Sequence, residues 1–274
     1  MSFTKLLAAF RIGALVTAFC ALTPASAAAS EPWPEIRKEI FSDRAIKETS
    51  PPFALYAPAQ AADASVVPID IRFPSSIAGK VKALTLVIDR NPVPLAATFK
   101  FEDAYRKLDI GERALSTRVR IDNFSKVRAI LETTDGELFM IAKFVAGAGG
   151  CSAPNSKDPD EALAAMGKVQ VKAMSSAQHG EAWRDGVVMV RHPNFTGMQM
   201  DAKTRNYTPA RYVDKLEVSL GGRLLFSMLG GISISENPNL RFTYGTTAVA
   251  DRLSVTAKDT EDTKFSGGER DSGT

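Results

Sequence analysis

Ligand-forming side chains are scarce in this chain. Its 274 residues include two Cys and two His, so a site that needs three or four such ligands is nearly excluded. Charge of one sign is scarce too. The 34 Lys and Arg against 31 Asp and Glu leave a formal +3, too small an imbalance for a nucleic-acid surface. Aromatics make up 8% and mean hydropathy is -0.08, which argues against a polytopic membrane protein. The composition, 45% hydrophobic and 24% charged, is that of a globular protein and excludes collagen-like, coiled-coil and wholly disordered readings.

The first 27 residues read as a secretory signal peptide. Lys5 and Arg11 supply a basic start, Ile12 to Leu22 an apolar centre, and Ala25-Ser26-Ala27 small residues for cleavage before Ala28. The apolar run is short for a transmembrane helix, and no second run of roughly 18 residues follows, so no membrane anchor is expected in the mature form. Phe19 before Cys20 is too bulky for lipoprotein processing. Cleavage removes Cys20 and leaves one thiol, Cys151.

An odd cysteine in an oxidising compartment cannot form an internal disulfide. Packing as a small hydrophobe is the plain alternative, but the neighbours Val145-Ala146-Gly147-Ala148-Gly149-Gly150 offer almost no side chain to pack with. Gly147, Gly149 and Gly150 read as a flexible arm. Fully extended, it carries the sulfur roughly 16–20 Å from its strand. An accessible, mobile thiol is expected. No His lies close to Cys151 in sequence, and although His179 or His192 can approach it in space, a swinging cysteine suits fixed catalytic geometry poorly. Cys151 therefore reads as a handle that other proteins modify, and no catalytic residue, metal or cofactor is assigned.

Trp33 to Lys47 carries Ile36, Ile40, Phe41 and Ile46 among charges, the pattern of a short amphipathic helix starting near Pro34. From residue 51 the pattern is strand-like: Val67 to Phe73 alternates, Ala83 to Ile88 is a dense apolar run, and Asp135-Gly136 separates two strands as a hairpin turn. A polar connector follows Cys151, and strands resume at Gly186. Leu216, Val218 and Leu220 face Leu224, Phe226 and Met228 across Gly221-Gly222. A three-residue turn there pairs 220 with 224, 218 with 226 and 216 with 228, placing every apolar side chain on one face. The expected fold is all-β, two β-sandwiches with the thiol at their junction. The expected segments are 1–27 signal peptide, 28–50 helical, 51–150 first sandwich, 151–185 cysteine arm and linker, 186–265 second sandwich, and 266–274 disordered tail.

The first sandwich resembles SoxY, the sulfur-carrying subunit of the periplasmic sulfur-oxidation system. The matching stretches are Ala59 to Pro68, Asn91-Pro92-Val93-Pro94-Leu95, Ser116 to Arg120 and Gly149-Gly150-Cys151. The second resembles SoxZ, through His192-Pro193, Gly197 to Asp201, Tyr207-Thr208-Pro209-Ala210, Gly221-Gly222, Ile232 to Phe242 and Ala257-Lys258-Asp259-Thr260. The whole is similar to the fused SoxYZ-like carriers associated with quinoprotein dehydrogenases. That resemblance implies immunoglobulin-like halves packed on each other, and a non-catalytic carrier with sulfur intermediates covalently bound at Cys151. It implies periplasmic sulfur-oxidation enzymes as partners, as in thiosulfate oxidation. The alternative is an adaptor of a periplasmic quinoprotein (PQQ-dependent) dehydrogenase that carries no cargo. In this chain the family's Gly-Gly-Cys is followed by Ser152-Ala153-Pro154 and a second domain, so the arm is tethered at both ends.

The remaining conspicuous residues have plain readings. Met198 and Met200 with His192 fit strand packing better than a copper site. Asp70 and Asp89 read as surface strand or turn residues, and Trp33 and Trp183 as edge residues that pack the halves together.

Overall fold

The computed structural model describes residues 31–106, 111–175, 182–246 and 250–269. The signal peptide expected at 1–27, Cys20 and His179 lie outside the described residues. Pro32 at the N-cap and Pro34 in the first turn start helix α1 (Trp33–Phe41). It ends at Ser42, whose φ of 53° breaks helical geometry. The helix is thus shorter than the sequence pattern implies. Ile46 and Lys47 instead form β1 (Ile46–Lys47), paired in parallel with Leu138 and Phe139.

The remaining first-half strands are β2 (Ala54–Tyr56), β3 (Val67–Phe73), β4 (Val81–Ile88), β5 (Leu95–Phe101), β6 (Arg113–Val119), β7 (Ser125–Thr133) and β8 (Leu138–Val145). In β3 the alternation expected from sequence holds: Val67, Ile69, Ile71 and Phe73 are buried and the residues between them are not. The dense run of β4 has a different cause. Leu84, Leu86 and Ile88 face the inter-sheet core, while Val87 faces α1 together with Ile130, Leu138 and Met140. Trp33, Ile36 and Phe41 cover that outer face. Trp33 therefore packs within the first half rather than between halves. Arg128 lies over its ring at 4.3 Å and binds Asp89 through Nε at 2.7 Å and Nη2 at 2.8 Å. Asp89 is buried, contrary to its expected place on the surface.

The second half contains β9 (Val169–Ser175), β10 (Trp183–Val190), β11 (Val213–Leu220), β12 (Arg223–Gly230), β13 (Asn239–Gly245), β14 (Leu253–Asp259) and β15 (Lys264–Gly268). β9 lies inside the expected linker and pairs antiparallel with β10. β15 pairs with β14, so Ser266 to Gly268 are ordered strand rather than tail; residues 270–274 lie outside the described residues. The hairpin is a correction as well. Gly221 and Gly222, with φ of 55° and 78°, make a two-residue turn that pairs Leu220 with Arg223. A bulge beyond Val218 then restores the expected pairs of 218 with 226 and 216 with 228.

The two halves do not form separate sheets. A nine-stranded sheet runs β1-β8-β7-β4-β5-β12-β11-β14-β15, and a six-stranded one runs β2-β3-β6-β13-β10-β9. They enclose one core shared by both halves. The chain is all-β as expected, but its sandwiches are joined edge to edge. β5 and β12 pair from Phe101↔Phe226 to Ala97↔Gly230, and β6 meets β13 at Leu115↔Phe242 and Ser116↔Arg241. At the seam, β5, β12, β6 and β13 each pair with the other half an edge that would otherwise be exposed. Aromatic rings fill this seam: Phe101 to Tyr105 at 4.8 Å, Phe101 to Phe226 at 5.8 Å and Phe226 to Phe242 at 4.9 Å.

Candidate functional site

Cys151 lies six residues beyond the end of β8, and the path between is packed, not slack. Ala146 donates its N–H to the Ala59 carbonyl at 2.8 Å and accepts from Ala61 N at 2.8 Å. Gly149 takes φ of +73° and donates to the Asp122 carbonyl at 2.8 Å; Gly150 donates to the Ile121 carbonyl at 2.9 Å. A Cβ on Gly150 would lie 2.1 Å from the Ala64 carbonyl oxygen and 2.6 Å from that of Ile121. Gly150 is therefore glycine because the backbone passes where no side chain fits. The Cys151 amide donates to Asp122 Oδ1 at 3.2 Å and its carbonyl accepts from Thr196 Oγ1 at 2.6 Å. The thiol is 0% exposed. This corrects the expectation of a pliant arm holding an accessible sulfur: Gly147, Gly149 and Gly150 serve close approach and a left-handed turn.

Burial pushes the Cys151 thiol up to about 12, the Asp122 charge adds to that, and the Arg120 guanidinium offsets part of it. At neutral pH Cys151 is a protonated thiol.

The segment after the thiol is clasped by both halves. Arg120, continuing β6 and 1% exposed, donates from Nη1 to the Gly150 carbonyl at 3.1 Å and from Nη2 to Asn155 Oδ1 at 3.3 Å. Gln199 donates to the same Asn155 oxygen at 2.5 Å and to the Ala153 carbonyl at 3.2 Å. Asn155 Nδ2 donates to the Pro193 carbonyl at 2.6 Å, and Ser156 donates through N and Oγ to the Glu236 carboxylate at 2.8 and 2.5 Å. Thr196 and Gln199 sit on the loop after β10. Asn194 orders that loop by accepting from Val213 N at 3.1 Å and donating to the Ile234 carbonyl at 3.3 Å.

Sequence reasoning gave a site role to Cys151 but none to Arg120, Asp122, Asn155, Thr196 or Gln199, although Arg120 and Gln199 lie in family-matching stretches. Alternation with Val119 and Ile121 marks Arg118 and Arg120 as outward-facing. The Ser233 region, Gly150 and Asn155, all distant in sequence, are what cover Arg120. His192, the described histidine, is engaged elsewhere. Its Nδ1 accepts from Asn194 N at 3.0 Å and its Nε2 lies 3.3 Å from Asp259 Oδ2. Burial lowers its pKa against the opposing pull of Asp259, so it stays neutral. Asp259 also accepts from Arg211 Nε at 2.8 Å. Among the described residues no group of three or more His, Cys, Asp or Glu is placed to hold a metal, and no helix is long and apolar enough to cross a membrane.

Residues 37–151 match the family model of sulfur oxidation protein SoxY, and that match ends on Cys151 itself. Residues 171–269 match sulphur oxidation protein SoxZ. The chain belongs to the fused SoxYZ-like proteins. The SoxY-type match begins within α1 and the SoxZ-type match within β9. Among solved structures, the sulfur carrier protein SoxY from Chlorobium limicola f thiosulfatophilum aligns at 18% identity with a TM-score of 0.33, covering 42% of this chain and 91% of that one. No curated protein sequence matches the chain.

Proposed function

We propose that this SoxYZ-like protein is a non-catalytic periplasmic carrier. Cys151 holds a sulfur-containing intermediate through an S–S bond while partner sulfur-oxidation enzymes load, oxidise and release it. The observation that carries this reading is the tandem match: the SoxY segment terminates on Cys151, the free cysteine of the described residues, and a SoxZ domain follows. The electrostatics support a passive role. A catalytic thiol needs a base or cation that outweighs burial, whereas burial and Asp122 together hold Cys151 protonated. Joining a thiol to the outer sulfur of thiosulfate forms one S–S bond, frees a proton and releases two electrons, so an oxidising partner is required. The signal peptide expected at 1–27 supports a periplasmic setting for that exchange.

The experiment is isolation of the protein from its own periplasm and mass analysis of the Cys151 peptide, alongside Cys151→Ser in the cell. A reductant-sensitive sulfur adduct on Cys151, with loss of function in Cys151→Ser, is expected. A free thiol together with a functional Cys151→Ser protein overturns the carrier reading.

A second reading is favoured by the burial of Cys151 and by the double tether of its segment. In it the protein is an adaptor for a periplasmic quinoprotein dehydrogenase, and Cys151 is a packing residue. A functional Cys151→Ser protein that co-purifies with such a dehydrogenase is its expected signature.

A further inference from the structure

Arg113 and Arg120 are both buried guanidiniums whose Nε has no hydrogen-bond partner, and of the two it is Arg120 that lies beside Cys151. Buried Arg128 has the Asp89 carboxylate against it, and Arg211 has Asp259. The Arg120 side chain meets no carboxylate: its hydrogen bonds go to a backbone carbonyl and an amide oxygen, and its Nε is buried without a partner. Of the groups whose negative charge favours its ionised form, Cys151 comes first; the other two, Glu236 and Asp63, are engaged by Ser156 and Ser65. A guanidinium buried without a counter-anion is costly. This one is bonded to the residue immediately before the protein's buried free thiol.

We propose that Arg120 is the receptor for the anionic end of the group carried on Cys151, a sulfonate-type sulfur oxyanion. This rests on the carrier reading and deepens it. In the unloaded protein the fork of Arg120 clasps Gly150 and Asn155. An S-linked sulfonate brings a permanent negative charge within reach of that fork, and guanidinium–oxyanion pairs are shorter and stronger than the amide contacts they displace. The cargo then competes with the clasp for the same donors. Loading with a sulfur oxyanion weakens the hold on residues 150–155, while a neutral group on the same sulfur does not. Asp122, which accepts from the Cys151 amide, opposes an anion at the sulfur itself and leaves Arg120 as the local cation that receives it.

The test compares two disulfide reagents on the folded full chain: tetrathionate, a dianion, and 4,4′-dithiodipyridine, which is neutral. With tetrathionate the Cys151 thiol gives its proton to solvent, and the thiolate attacks a divalent sulfur. An S–S bond forms as one in the reagent breaks, and thiosulfate leaves with the electron pair. Cys151 then carries –S–SO3−. The ratio of the two rates, taken relative to a small neutral thiol, removes any effect of simple exposure. The wild-type ratio is expected to exceed that reference and to fall about tenfold in Arg120→Gln, with Arg120→Lys keeping part of it. A structural role alone moves both rates together and leaves the ratio unchanged. A wild-type ratio no higher than the reference overturns the receptor even if Arg120→Gln fails to fold. Equal fold-changes for both reagents in the two variants overturn it while leaving the carrier standing. If Cys151 reacts with neither reagent until the protein is denatured, the carrier reading fails and the receptor fails with it.

Discussion

The two halves of this molecule meet at a strand seam and again around the thiol, and these two meetings are built differently. At the strand seam, β5 pairs with β12 and β6 with β13, over the tilted and edge-on rings of Phe101, Tyr105, Phe226 and Phe242. At the thiol, the halves meet through single polar contacts: Thr196 on the Cys151 carbonyl, Gln199 and Arg120 on Asn155, Glu236 on Ser156. Apolar burial with backbone pairing yields only when the whole fold yields. Individual hydrogen bonds contribute about 0.5–1.5 kcal/mol each and exchange readily for water. The first junction joins the halves through one core; the second is expected to open while the first stays closed. On the carrier reading, a thiol that is buried at rest and reached by other proteins belongs at the second.

Cutting the strand seam gives the largest expected effect. Phe226→Ala leaves a cavity in the shared core and is expected to cost about 3–5 kcal/mol. Because the core spans both halves, denaturant unfolding should stay a single transition; two resolved transitions would show that the halves fold separately. Gly150→Ala attacks the other junction. Its Cβ meets two backbone carbonyls, so the expected cost is about 2 kcal/mol or more, taken as release of residues 147–155. Cys151 labelling should rise sharply while the core persists, and unchanged labelling would sink this view of the glycines. Thr196→Val with Gln199→Ala is milder, about 1–2 kcal/mol each by loss of a buried hydrogen bond. The pair should speed Cys151 labelling at least about tenfold without altering the strand-seam transition.

The last effect, negligible at neutral pH, is a pH dependence. Above about pH 9 an unfolded Cys151 ionises, while the folded one, raised to about 12, keeps its proton. The folded state then binds more protons than the unfolded state, so stability falls with rising pH, by up to about 1.4 kcal/mol per unit for this group. Cys151→Ala should show a shallower alkaline decline in denaturation series between pH 8 and 11. Parallel slopes would place the thiol in water.

The same contrast separates what the sequence discloses from what it hides. Alternation in β3 is readable because one face of the strand is buried. The hairpin of β11 and β12 is readable for 216↔228 and 218↔226 but not at its tip. There Leu225 and Phe226 are both buried, and a bulge rather than a longer turn reconciles the register. β9 alternates Val169, Val171 and Ala173 with polar residues, a short signal hidden in a polar stretch. The family and the thiol are readable from motifs. The state of the thiol is not, because a glycine run suits slack chain and close packing alike. Only Ala64, Ile121 and Asp122, brought in from other segments, decide between them. Arg120 is hidden for the same reason.

The most direct test of a thiol that is closed yet reachable is its labelling rate in the native protein, followed through low denaturant concentrations with a neutral reagent. The clasp opening by itself predicts slow labelling that barely responds to denaturant and runs well ahead of global unfolding. Labelling with the full denaturant sensitivity and free energy of global unfolding would mean that Cys151 is reached only when the core comes apart, and the protein could not be a carrier.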